Sequence, residues 1–368
     1  MRITGMSEPG SRRRLLLGLL AAGLVPGQGH ATSPGASRGS RRVREWDSGN
    51  EVLAPLSLHE GQVLFAGDRT IGRIDLKLSR PVWNVVHGLT GEAVYKPRAA
   101  GQFVLTGGLY ELGAWRIDRG QRAWLHKANI QMGVPYVTSR STYVGDGHEL
   151  LAINNESGAV HWRHAGTVDT LSSYAPVLAE DTVFFGPGNG LLYALNKADG
   201  QEKWRLDRNQ DWQYLRQLYV SQGVLVAGSY KELLYGISVV SGKVLWTFNA
   251  GNFINSHHVF EDTAYLWSPT GWVYAIDIHT GDVRWRHQTT NYGQTSSNWG
   301  PMMAELVARG AYVYALDMHN VLHLLSTANG QEVGRISFQQ NLRPVVLPGN
   351  GAWAVVATEE GKIQQVRW

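Results

Sequence analysis

Six stretches of this chain gather side chains that bind or act on polar molecules, and they recur at a nearly even spacing. They are Tyr95-Lys96, Ser172-Ser173-Tyr174 with Asp169 just before, Trp212-Gln213-Tyr214-Leu215-Arg216, Asn255-Ser256-His257-His258, Tyr292 with Asn298-Trp299, and Asn341-Leu342-Arg343. Phenols, amides, guanidinium and ammonium groups supply the hydrogen bonds and charge that a sugar, an organic acid or a polar protein surface needs. Tyr95, Tyr174, Arg216, Asn255, Asn298 and Arg343 fall at matching places in successive repeats and are expected to converge on one pocket. Lys96, Tyr214, His257, Tyr292 and Trp299 lie beside them.

His257 is the candidate general base, because a neutral imidazole titrates near pH 6.5. His257-His258 is not expected to hold a metal: neighbours on a strand point to opposite faces, and no carboxylate sits beside them. The other histidines lack H-E-x-x-H spacing. Carboxylates near the six stretches are few, Asp169 and Asp211, and neither a G-x-S-x-G nor a Walker loop occurs. The competing account of each side chain is plain: loops are polar, and Ser, Asn and Gly make turns. Whether the chain catalyses a reaction stays open on these residues.

What positions the stretches is a repeat of about forty residues ending in Gly with Trp four positions later. It appears as Gly120/Trp124, Gly158/Trp162, Gly200/Trp204, Gly242/Trp246 and Gly281/Trp285, with weaker copies at Ser79/Trp83 and Gly330/Gly334. The Trp intervals run 41, 38, 42, 42 and 39, then 49 to Gly334. Alternation from Trp272 to Ile276 predicts a strand, Asp277 to Gly281 a turn, and Val283 to Trp285 the next strand. A fixed period filled with short strands predicts a propeller, each repeat forming one four-stranded antiparallel sheet. One Trp per repeat at constant register predicts a wedge between blades, and Gly334 leaves that place to be filled by something else. Gly361 to Trp368 aligns with Gly271 to Ile278 and lacks an outer strand; Val43 to Trp46 looks like it, aligned with Asp282 to Trp285. The expectation is an all-β, eight-bladed propeller whose last blade is closed by the N-terminal strand.

The run Tyr274 to Trp285 resembles the pyrroloquinoline-quinone-like (PQQ-like) repeat, Ala-x-Asp-x-x-Thr-Gly-x-x-x-Trp, and the resemblance extends over nearly all of residues 43–368, a size close to BamB-type propellers. It implies the eight-bladed fold. It implies function only broadly, since the family includes quinoprotein dehydrogenases, the BamB-type outer-membrane assembly lipoprotein and other exported proteins. The dehydrogenases place Ca²⁺ against the quinone through Glu, Asn and Asp, use an Asp base and carry insertions that this chain lacks. PQQ is therefore compatible with the repeat but not favoured by the residues.

Residues 1–31 read as a twin-arginine signal peptide, with Arg12-Arg13-Arg14 before an apolar run from Leu15 to Val25 and small residues at Gly29 and Ala31. Residues 32–42 read as a disordered linker, and 43–368 as the propeller. The leader carries a net +3 of the total +4, leaving the mature chain near +1, so charge gives no argument for nucleic acid. The chain has no Cys, which excludes disulfides, thiolate metal sites and a lipid-bearing Cys within these residues. The leading expectation is an exported, periplasmic or secreted monomer with no integral membrane segment after processing, binding a polar small molecule, glycan or protein partner through its funnel face. Two alternatives remain: a PQQ-dependent oxidoreductase, and a lyase-type carbohydrate-active enzyme using Tyr, His and Arg in the funnel.

Overall fold

The repeat folds as its grammar requires. In the turn Asn154 to Gly158, the Asn154 amide oxygen accepts the N–H groups of Glu156 and Ser157, and Gly158 N–H closes on the Asn154 carbonyl at 2.8 Å with φ +73°. Asp277 does the same for His279 and Thr280. Each turn thus joins the third and fourth strands of a sheet by one device. The computed structural model describes residues 41–368 except 166–170, 188–189, 209–214, 230–231, 252–253, 255, 269–270, 290–304, 318 and 350–352. Residues 1–31, expected as a twin-arginine signal peptide, and nearly all of the expected linker fall outside the described residues.

Eight four-stranded antiparallel sheets follow one another. Blades 1 to 7 span residues 57–86, 98–127, 136–165, 177–207, 215–249, 256–288 and 305–337. Blade 8 combines 342–367 with the N-terminal strand Arg41–Asp47. First strands of neighbouring blades touch around the axis, as Glu305–Arg309 does with both Ser256–Phe260 and Leu342–Pro348. Second and third strands form the buried layers: Val224–Ser229 is buried throughout, whereas the outer strand Glu202–Asp207 alternates exposed and half-buried. The up-and-down order sets two faces. One carries the connections entering each first strand together with the loops between second and third strands; the opposite face carries the remaining turns.

The Gly and Trp of the motif serve different blades. Each Trp indole N–H donates to a carbonyl just past the third strand of the next blade: Trp83 to Ile117 (2.9 Å), Trp124 to Asn155 (2.8 Å), Trp162 to Lys197 (3.0 Å), Trp204 to Val239 (3.1 Å), Trp246 to Ile278 (2.6 Å) and Trp285 to Thr327 (2.8 Å). The motif Gly of that next blade seats the ring. A Cβ on Gly200 would lie 2.6 Å from Trp162, and one on Gly330 2.4 Å from Trp285.

Both exceptions to the motif flank blade 8. The N-terminal strand closes that blade, as expected, but begins at Arg41, so Arg41 and Arg42 pair with Arg367 and Val366 instead of belonging to the linker. Its register also differs. Arg44 stands opposite Gln365, the place a Trp takes in other blades, because the strand carries the usual bulge between Arg42 and Arg44. The Arg44 guanidinium donates to the Leu76 carbonyl of blade 1, the bond an indole makes elsewhere. With no ring to seat, blade 1 carries Ser79 at φ +55° where the others carry Gly. Trp46 lies two residues further on the same strand, buried against Leu56, Phe65 and Ile363. In blade 7 the place vacated at Gly334 is filled by Trp368: its ring lies 2.8 Å from an ideal Cβ on Gly334 and 5.8 Å from Tyr314, matching the 5.8 Å between Trp285 and Tyr265.

Candidate functional site

The face that receives the entering connections is ordered by acidic side chains in or bordering the loops between second and third strands. Asp68 accepts the N–H groups of Glu51 and Val52, Asp146 those of Asn129 and Ile130, and Glu111 the N–H and hydroxyl of Thr90. These carboxylates hold the loops that lead into first strands. Backbone bonds interlock the same loops: Ala128 N–H to Tyr110 O, Met132 N–H to Leu109 O and Val134 N–H to Ser173 O. A continuous rim across blades 2 to 4 results, and its outward side chains are apolar. Tyr110 is 59% exposed, Ile130 53%, Leu109 41%, Val134 40%, and Val94 and Leu171 37% each. Val94, Leu109 and Tyr110 also wall a hollow of about 190 Å³ with Leu89 and Glu92.

Of the residues expected to converge, Tyr95 is a core side chain. It packs with Leu112, Met132 and Val144, its hydroxyl donates to the Met132 carbonyl, and burial pushes its pKa up to about 12. It cannot present its hydroxyl to a ligand. Strand alternation puts His257 into the wall at 2% exposure and leaves His258 half-buried on the axial side. The base candidate at 257 therefore does not face the axis. Tyr174 is half-buried three residues before the first strand of blade 4, and Arg343 is half-buried inside the first strand of blade 8. The Arg216 backbone pairs with Gly228. Tyr214, Asn255, Tyr292, Asn298 and Trp299, with Asp169, Asp211 and Trp212, lie outside the described residues.

Lys96 does reach the axis. It lines a groove of about 260 Å³ with Arg98, His258, Phe260 and Arg309, drawn from the first strands, or the residues just before them, of blades 2, 6 and 7 and completed by Ser57, Leu58, Val307, Ala308, Leu347 and Pro348. His258 Nδ1 accepts the Ala308 N–H at 3.2 Å. Burial, and then the ammonium of Lys96, lower the His258 pKa to about 4, so the ring is neutral near pH 7 and its Nε2 carries the proton. No carboxylate is among the lining residues described. That donor set does not fit a Ca²⁺–quinone pair of the dehydrogenase kind.

A separate titratable cluster sits in blade 7. Buried His323 bridges Glu332, 2.9 Å from Nδ1, and Asp317, 3.4 Å from Nε2, while Arg335 clamps Glu332 at 2.9 and 2.7 Å. Burial alone would lower the His323 pKa, but its two acidic partners raise it. The ring stands between the acids, so they do not meet around a common point, and among the described residues no group of three or more acidic or histidine side chains could hold a metal.

The exposed apolar loop residues and Arg98 do not stand out in the sequence, because the connections are dominated by polar residues. The signal was present as Gly108-Leu109-Tyr110, apolar residues in a turn, and as Lys96-Pro97-Arg98, two cations one strand period apart.

A family model described as outer membrane protein assembly factor BamB matches residues 110–219 and 215–345. An outer membrane protein assembly factor BamB from Yersinia pestis is 24% identical over 194 residues, 47% of this chain and 49% of that protein. The protein of that name from Bordetella pertussis (strain Tohama I) is 23% identical over 334 residues, 83% of this chain and 80% of its own length. The chain thus spans about half of the first of these relatives and four-fifths of the second. The crystal structure of BamB from Moraxella catarrhalis superposes with a TM-score of 0.71 at 16% identity, over 89% of this chain and 100% of that one. The computationally designed Ika8 protein gives 0.73 at 15% identity, over 86% and 96%. At such identities the superpositions speak for the fold alone.

Proposed function

Because this chain belongs to the propeller family described as outer membrane protein assembly factor BamB, we propose that it is a protein-binding propeller serving outer membrane protein assembly, and that its partner docks on the rim of blades 2 to 4. The observation that carries the reading is the row of exposed apolar side chains, Leu109, Tyr110, Ile130 and Val134, held on loops that backbone bonds make rigid. Large apolar groups clustered on an ordered surface mark interaction sites, and a rigid rim loses little freedom on docking. A photo-crosslinking residue at position 110, expressed in cells, should capture a component of the assembly machinery or an outer membrane protein in transit. The same probe at Val240, 85% exposed on the opposite face, should not. Equal capture from both positions, or from neither, refutes the assignment.

The reading places the protein in the periplasm, reached by the twin-arginine route. Its support is the Ser11-Arg12-Arg13-Arg14-Leu15-Leu16 run before a short apolar segment. Replacing Arg12 and Arg13 by Lys should leave precursor in the cytoplasm. Normal export in a strain lacking the twin-arginine translocase would sink the route while leaving the docking assignment intact.

A further inference from the structure

The structure assigns a second site, independent of the docking rim: we infer that the axial groove binds a small organic anion, a carboxylate or phosphoryl head on an apolar body. Lys96 and Arg98 approach from blade 2, and Arg309 from blade 7. In a ring of eight blades, blades 2 and 6 face each other, and Lys96 is close enough to His258 of blade 6 for its charge to act on the imidazole. The groove therefore crosses the axis instead of lying on one blade. Among the described residues Arg98 makes no hydrogen bond or ion pair with a neighbour, so its fork stays open to the groove. Arg309 spends one N–H on the Pro348 carbonyl at 3.0 Å.

Arg98 is exposed to the groove, and a guanidinium cannot shed its charge, so beside Lys96 and Arg309 it presents a standing positive charge that favours an anion there. Its planar fork suits a carboxylate or phosphoryl group bidentately. His258 adds a neutral donor at Nε2. Leu58, Phe260, Val307 and Leu347 line the rest, which a bare inorganic ion would leave unused and an organic body would cover. A volume of about 260 Å³ lies just below the roughly 300–1,000 Å³ of drug-sized ligand pockets, which limits the occupant to a small molecule.

The test is isothermal titration of the full chain with phthalate and with phenyl phosphate, using sulfate as the inorganic comparator. One-to-one binding of either organic probe, tighter than sulfate, is expected. Arg98→Gln and Arg309→Gln should each weaken it by about tenfold or more with melting temperature unchanged, since neither side chain is part of the packed layers. Tyr110→Asp should leave it unaltered, which separates this site from the docking rim. Binding of neither organic probe, sulfate as tight as both, or equal affinity in the wild type and both Arg variants would overturn the assignment.

Discussion

At the scale of single residues, the His323 cluster ties stability to pH. His323 is raised above its ordinary 6.5, so its contribution is complete below pH 6.5 and is lost as pH rises through the folded value. Glu332 is held down to about 2: burial opposes this, but bonds from His323 and Arg335 prevail. Asp317 is lowered as well. The carboxylate contribution is therefore complete above about pH 4.5 and is lost as pH falls towards 2. The contribution of this cluster, read as the difference in melting temperature between the wild type and His323→Gln, should be greatest between about pH 4.5 and 6.5, and His323→Gln should remove most of the decline above that window. An unchanged slope in the variant would show that another group governs it. His323→Ala strands a buried Asp317 and should cost about 3–5 kcal/mol. None of this was legible in the sequence, because Asp317, His323 and Glu332 follow no motif and meet only through sheet pairing. His257 was legible as chemistry but not as direction, since one step of strand register decides whether a histidine faces the axis or the wall.

At the scale of the element, the motif joins two neighbouring blades: each Gly seats the Trp of the blade before it. Gly200→Ala meets both a positive φ and the Trp162 ring, and should destabilise by more than about 1 kcal/mol. Ser79→Gly, at an exposed turn with no ring to seat, should stay within about 0.5 kcal/mol. Chemical denaturation of the two variants checks the contrast; equal effects would mean that the seat is not what constrains the Gly. The wedge was readable from the period alone, because a bulky residue at constant register has few other places to go. The substitutes were not. Arg44 and Trp368 serve in place of a Trp only because a bulge sets one register and the chain's last ring folds back over Gly334, and neither event leaves a mark in local spacing.

At the scale of the whole molecule, one strand closes the ring. A chain starting at residue 41 should melt like the full chain. A chain starting at residue 48 loses the pairing with Lys362–Arg367, the Arg44 bond and buried Trp46, where Trp→Ala alone typically costs about 3–5 kcal/mol. Equal melting temperatures would refute the closure. The closure also has a consequence for synthesis. Glu45 and Gln364, hydrogen-bonded across that pairing, stand 319 positions apart. At translation speeds of about 5–20 residues per second, the first strand is made roughly 15–60 s before its partner exists. Through that interval Trp46 lacks Ile363 and its strand keeps a bare edge, so the first propeller strand made is the last to be secured.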